Sequence, residues 1–282
     1  GIPLQATVYT PAGEASRPAI LWLHGGGLIF GSREMLPAYQ LKTYLGAGYA
    51  VIAIDYRLAP ETKLNGILED LQDVYAWILR EGSRLFGLAV ECMAVVGHSA
   101  GGYLALLSGH HLDPRPNAIV SFYGYGDITG EWYSRPDPFY CRLPPVTPEE
   151  AYRSVTRSTV AADPGERRAP FYLYCRQNGL WPVEVTDHDP EKEADWFRPY
   201  CPVLNVSRAF PPSMLIHGSE DTDVPAQQSI WMADQLSRQG VEHQLVLLPG
   251  RGHAFDMAAG EKKDAGIAQI FEHVLGFLKK HC

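Results

Sequence analysis

The stretch that decides the fold reads Val95-Val96-Gly97-His98-Ser99-Ala100-Gly101-Gly102. It contains the pattern Gly-x-Ser-x-Gly, and both of its flanks are informative. Met93–Val96 is a short apolar run with β-branched residues at its end, as in a buried strand. Tyr103-Leu104-Ala105-Leu106-Leu107 then reads as a helix. A serine between strand and helix must occupy a tight, strained turn that pushes its hydroxyl out of the packed layer. Side chains at Gly97 or Gly101 would collide with the neighbouring strand or helix.

Outward from this turn the chain alternates. Ala19–Leu23 and Tyr49–Ile54 are buried-type strands, with a helix predicted over Leu36–Leu45 between them. From Asn65 the residues Ile67, Leu68, Leu71, Val74, Tyr75, Ile78 and Leu79 recur at helical spacing, a run expected to end at Gly82. After the serine helix come a strand over Ala118–Tyr123, then strands Ser213–His217 and Gln244–Leu248. Helices are predicted over Pro225–Gln239 and from about Lys262 to Lys280. Such alternation predicts an α/β fold, a mostly parallel central sheet flanked by helices. The rhythm breaks between Asp127 and Asn205, a stretch rich in Pro and charge yet dense in aromatic residues. That density argues against a disordered linker. The expected organisation is a core of residues 1–126 and 206–282 with an inserted helical lid over 127–205. A few of the lid's aromatic side chains are expected to face substrate, and Trp181 is the one singled out to test this.

Composition narrows the partners. The chain has 282 residues and a net charge of −8 with no basic run, which argues against nucleic acid and anionic membrane surfaces. Its five cysteines, Cys92, Cys141, Cys175, Cys201 and Cys282, are odd in number and form no C-x-x-C pair. Reduced thiols and a cytoplasmic setting are therefore expected. No apolar run reaches membrane-spanning length and no signal peptide precedes Ile2. Gly1 in place of Met leaves open a processed precursor or a trimmed tag. Oligomeric state is not readable.

A serine hydroxyl needs a base to take its proton as it attacks. That base should be a histidine oriented by a carboxylate, both on loops at the carboxyl ends of the strands. Asp221 lies just past the strand ending at His217, and His253 in the loop after Leu248. Asp223 and Glu220 compete with Asp221 for the role of acid. The order Ser99, Asp221, His253 is the one this fold uses. Backbone amides of Gly26, Gly27 and Ala100 are the candidate oxyanion donors, because two lack side chains and the third opens a helix. No Gly-x-Gly-x-x-Gly or Walker lysine accompanies His24-Gly25-Gly26-Gly27, which argues against a phosphate loop. His24 is expected to shape that loop through a backbone bond, and Asp55 and Arg57 to make structural ion pairs or a turn. His110-His111 and His188 lack the spacing of metal ligands. No cofactor and no metal are expected.

With these residues in place the chain resembles the α/β-hydrolases, nearest to the hormone-sensitive-lipase-like (α/β-hydrolase fold-3) esterases. The matching segments are His24–Gly27, Asp55-Tyr56-Arg57-Leu58-Ala59-Pro60-Glu61, Gly97–Gly102, His217–Pro225 and Gly252-His253. The resemblance implies hydrolysis of carboxylic esters through an acyl-enzyme, with no metal or cofactor. Ser99 would be the nucleophile, Asp221 the acid, His253 the base, and Gly26, Gly27 and Ala100 the oxyanion hole. The chain departs from that family in three ways. Only 23 residues precede His24, His98 stands where Asp is usual, and Thr62-Lys63-Leu64-Asn65-Gly66 replaces a Pro-rich stretch. The expected activity is cleavage of short-chain or aromatic carboxylic esters, with a small-molecule ester as substrate. The alternatives are an amidase or arylformamidase, an acyltransferase using the same triad, and a binding protein that has lost the chemistry.

Overall fold

The computed structural model describes residues 2–13, 16–165, 167–257 and 264–282. Seven strands form one sheet: β1 (Ala6–Tyr9), β2 (Arg17–Leu23), β3 (Ala50–Ile54), β4 (Leu88–His98), β5 (Ala118–Phe122), β6 (Ser213–Gly218) and β7 (His243–Leu248). Their order is β1-β3-β2-β4-β5-β6-β7, and every pairing is parallel except β1 with β3. Helices α1 (Ala38–Gly46), α2 (Leu64–Phe86), α3 (Ala100–His111), α9 (Gln227–Arg238) and α10 (Ala265–His281) flank it. The fold class is therefore the one expected, α/β with a mostly parallel sheet.

Strand sequence sorts the two faces. Successive side chains point to opposite sides of a strand. Leu21, Leu23, Ile52, Ile54 and Val95 accordingly join a core with Ile67, Leu71 and Leu104 of α2 and α3. Ile20, Trp22, Val51, Ala53 and Val96 join the opposite core with Tyr44 of α1 and Phe271 and Val274 of α10. Burial on both faces explains why these strands are continuously apolar rather than alternating.

Two boundaries differ from the sequence reading. α2 does not end at Gly82, which is buried inside it, but at Gly87 in the left-handed conformation, φ 63°. A side chain at position 82 would press on Leu88 and Val90, so this glycine serves close packing with β4 and does not stop the helix. β4 runs for 11 residues, because Leu88-Ala89-Val90 extends it beyond Met93–Val96 across the polar Glu91. β1 lacks an apolar signal because it is a half-exposed edge strand. The expected start of the last helix, near Lys262, lies outside the described residues.

Registers place the working ends together. Leu23 pairs with Gly97, His98 with Phe122, Phe122 with Ile216 and Gly218 with Leu248. The loops after β2, β4, β5, β6 and β7 therefore emerge along one carboxyl edge, where open α/β sheets bind ligands. Residues 127–205 contribute five short helices: α4 (Glu131–Ser134), α5 (Pro148–Tyr152), α6 (Ala169–Asn178), α7 (Trp181–Thr186) and α8 (Ala194–Phe197). Tyr133, Phe171, Trp181 and Phe197 from this segment join the same core as α2 and α3. No described helix is long and apolar enough to cross a membrane.

Candidate active site

Ser99 closes the β4–α3 turn with φ 55° and ψ −119°, a conformation non-glycine residues rarely adopt. Its N–H bonds the Phe122 carbonyl at 2.9 Å and its carbonyl accepts from Tyr103 N–H at 2.9 Å, so the turn is held from both sides. A side chain at Gly101 would run into the Leu23 and His24 carbonyls, so the first turn of α3 can lie against β2 only with glycine there. Leu28 (φ 61°), Tyr123 (φ 39°) and Ala254 (φ 56°) carry similar strain in the loops beside Ser99.

The structure brings Ser99, His253 and Asp221 together from three loops. His253 Nε2 lies 3.0 Å from Ser99 Oγ, and His253 Nδ1 lies 2.7 Å from Asp221 Oδ2. The Asp221 carboxylate is satisfied on every side. Its Oδ1 accepts from the N–H groups of Asp223 and Val224, each at 2.9 Å, and His217 Nε2 stands 3.3 Å from its Oδ2. Burial alone would raise its pKa, but the hydrogen bonds from His217 and His253 outweigh burial and hold it well below the carboxylate range. An ionised carboxylate only accepts, so Nδ1 of His253 must carry the hydrogen and Nε2 must offer its lone pair to the serine. Burial pulls the His253 pKa down. The charges of Asp223 and Asp221 and the bond to Asp221 overcome that pull, leaving it above the ordinary 6.5.

Among the described residues, the N–H groups of Gly26, Gly27 and Ala100 donate to no protein group. Gly27 has φ 61°, and a side chain on it would meet the Tyr172 ring at 2.5 Å. His24 is fully buried, stacks on Tyr56 with ring centroids 4.0 Å apart and bonds the Gly25 carbonyl through Nδ1 at 2.7 Å. Burial lowers its pKa to about 4, against the smaller upward effect of that bond, so it is a neutral spacer beneath the loop.

Three side chains from the insertion clamp the same loop. Trp181 donates to the Gly27 carbonyl at 2.8 Å, and Arg168 to the Ile29 carbonyl at 2.9 Å while pairing with Glu61. Tyr172 packs on Gly27 and donates to Asp223 at 2.7 Å. The cavity at Ser99, about 200 Å³, is lined by Tyr172, Phe30, Met35 and Met257 among others, but not by Trp181, which is fully buried. The aromatic of the insertion that faces the cavity is thus Tyr172.

Sequence reasoning also missed the support behind His253. His98, in the position where Asp is usual, lies 3.0 Å from Asp256, three residues past His253. Asp256 accepts from Tyr123 at 2.6 Å and from Gln40 at 2.7 Å, and the Tyr123 ring packs edge-on against His253. Burial would raise the Asp256 pKa, yet the His98 and Tyr123 contacts hold it below 3.8. The signal available in sequence was the unusual His98, with nothing to name its partner. Asp55 and Arg57 turn to other residues, Arg33 and Asp70. His110 and His111 both bond the Pro199 carbonyl, and His188 bonds Glu193.

The fold has counterparts among known proteins. A family model described as the α/β hydrolase fold matches residues 20–257. Among solved structures, an α/β hydrolase superfamily protein from Enterococcus faecalis superposes with a TM-score of 0.78 at 26% identity, covering 98% of this chain and 95% of its own. Among curated proteins, the non-reducing polyketide synthase Preu6 of Preussia isomera is 27% identical over 91% of this chain and 13% of its own length. The non-reducing polyketide synthase ausA of Aspergillus calidoustus is 29% identical over 100% of this chain and 14% of its own. The chain thus spans about one seventh of the curated relatives it matches, 13–14% of their length. Its fold is that of a hydrolase, and the chain belongs to the α/β-hydrolase-fold family.

Proposed function

We propose that this chain is a serine acyl hydrolase that cleaves carboxylic esters through an acyl-enzyme on Ser99. The observation that carries the reading is the unbroken relay of Ser99 Oγ, His253 and Asp221 at 3.0 and 2.7 Å. His253 takes the serine proton as Oγ attacks the carbonyl carbon, and Asp221 holds the imidazole in the required tautomer. The unpartnered N–H groups of Gly26, Gly27 and Ala100 accept the developing oxyanion, a contribution of about 3 kcal/mol per donor. His253 then protonates the leaving alcohol, and water releases the acyl group. Residues 127–205 act as a lid that closes the cavity and braces the oxyanion loop. A cavity of about 200 Å³ with mostly apolar walls fits short-chain or small aromatic acyl groups. The five free thiols among the described residues favour a reducing, cytoplasmic setting. The test is turnover of p-nitrophenyl acetate and butyrate. Ser99→Ala should abolish it, and wild-type turnover by that variant would refute the reading.

The relatives favour a second, narrower reading. They are polyketide synthases, and a polyketide is an acyl chain, so the bond cleaved here would be the ester or thioester that holds such a chain on a carrier. The same relay serves, with a thiolate leaving in place of an alkoxide. Comparing N-acetylcysteamine thioesters with matched p-nitrophenyl esters and formanilides separates thioesterase, esterase and amidase activity. A preference of tenfold or more for one class decides between them.

A further inference from the structure

Two residues past Asp221, Asp223 sets a second carboxylate beside the base. Its Oδ1 accepts from the Tyr172 hydroxyl at 2.7 Å and from Arg176. Its Oδ2 lies 3.4 Å from His253 Nε2, the atom that also faces Ser99 Oγ. Asp223 lines the cavity, where it is the one carboxylate among the described lining residues. Arg176 cannot swing away: its side chain is 1% exposed, it bonds Asp137 at 2.7 Å on its other side, and it sits over Tyr133 and Tyr140. The carboxylate is thereby fixed from α6.

This leaves acceptor capacity facing the cavity. With the hydrogen of His253 on Nδ1, Nε2 presents a lone pair, and two acceptors cannot bond each other. The Tyr140 hydroxyl also reaches the Asp223 carboxylate, but a carboxylate oxygen carries two lone pairs, so Oδ2 keeps one for a donor in the cavity. Once Ser99 is acylated its hydroxyl hydrogen is gone, and Nε2 and Oδ2 form a pair of acceptors flanking the place where the nucleophile must stand. Water has two hydrogens to give them, and an alcohol has one.

We propose that Asp223 is a catalytic residue of deacylation, holding the attacking water by one hydrogen while His253 removes the other. The inference rests on the acyl-enzyme reading above. The water oxygen bonds the acyl carbon, one proton passes to Nε2, and the bond from carbon to Oγ breaks. Nε2 then returns that proton to Oγ, and the second hydrogen leaves on the carboxylic acid. Asp223 takes no proton. An alcohol that gives its only hydrogen to His253 faces Oδ2 with lone pairs, so Asp223 biases the acyl-enzyme towards hydrolysis over transfer.

The test isolates that step. Wild type and Asp223→Ala are acylated with p-nitrophenyl acetate and freed of excess ester. Loss of the acetyl group from Ser99 is then followed by intact mass, with and without methanol. The expected result is acylation within about threefold of wild type, loss to water about tenfold slower, and a larger share passed to methanol. Asp223→Glu should restore part of the water rate. Asp137→Asn disturbs Arg176 but keeps the carboxylate at Nε2, and should retain the wild-type ratio of water to methanol. Asp223→Ser is the second variant, read the same way if the alanine protein does not fold. Equal loss in both steps, or an unchanged ratio, overturns the role of Asp223. A wild-type protein that forms no acetyl-Ser99 overturns the underlying reading instead.

Discussion

Trp181 donates its indole N–H to the carbonyl oxygen of Gly27 at 2.8 Å, across 154 positions of sequence. The insertion therefore reaches past the cavity and fixes the Gly25–Gly27 loop that lines it beside Ser99. Its aromatic density is used for bracing as much as for covering.

Trp181→Phe tests this directly. The ring volume is largely kept, and a buried carbonyl loses its donor at a cost of about 1–3 kcal/mol. We expect kcat/KM to fall about tenfold by the same factor for acetate, butyrate and benzoate esters. A change in the ranking of these esters would place Trp181 against substrate and contradict the structure.

Substrate size should instead follow Phe30 and Tyr172. Both line the cavity at Ser99 and also the neighbouring surface groove formed by Leu143, Pro145 and Leu173. Phe30→Ala joins the two spaces. The expected outcome is a several-fold gain for hexanoate and octanoate esters relative to acetate, read as ratios of kcat/KM.

The pH profile has a defined sign. His253 must be neutral to accept the serine proton, and its pKa is raised above 6.5. Activity should therefore fall as pH drops through a midpoint above 6.5. Asp223 is the largest of the causes that raise it, so Asp223→Ala should move that midpoint down. A midpoint of kcat/KM near 5 in wild type would contradict the geometry.

Behind His253, Asp256 is buried beside His98, which holds its pKa below the ordinary carboxylate value. A carboxyl with a depressed folded-state pKa stabilises the fold above its unfolded value, and that contribution is lost as pH falls. Asp256→Asn should destabilise the protein by about 3 kcal/mol at pH 7 in urea unfolding, with the gap narrowing below about pH 4. An equal gap at both pH values would remove the charge from the explanation.

Much of this was legible in sequence because it is local or periodic. Apolar runs separated by helical patterns gave the parallel sheet, and the short strand–serine–helix motif gave the turn at Ser99. What stayed hidden depends on long-range packing. Nothing in the spacing of Asp127–Asn205 indicates that Arg168, Tyr172 and Trp181 converge on Gly27–Ile29. Likewise the neighbours Asp221 and Asp223 were rivals for one role, because only the fold sets one on Nδ1 of His253 and the other beside Nε2. Gly82 misled because glycine can end a helix or permit close packing, and the partner strand decides which.

The central claim is a covalent acyl group on one side chain. Quenching the protein in acid during turnover of p-nitrophenyl butyrate, followed by peptide mass spectrometry, reads it directly. The account predicts a butyryl adduct on the peptide carrying Ser99, absent in Ser99→Ala and undiminished in Asp137→Asn. Steady hydrolysis with no adduct on that peptide, or an adduct that persists in Ser99→Ala, would contradict it.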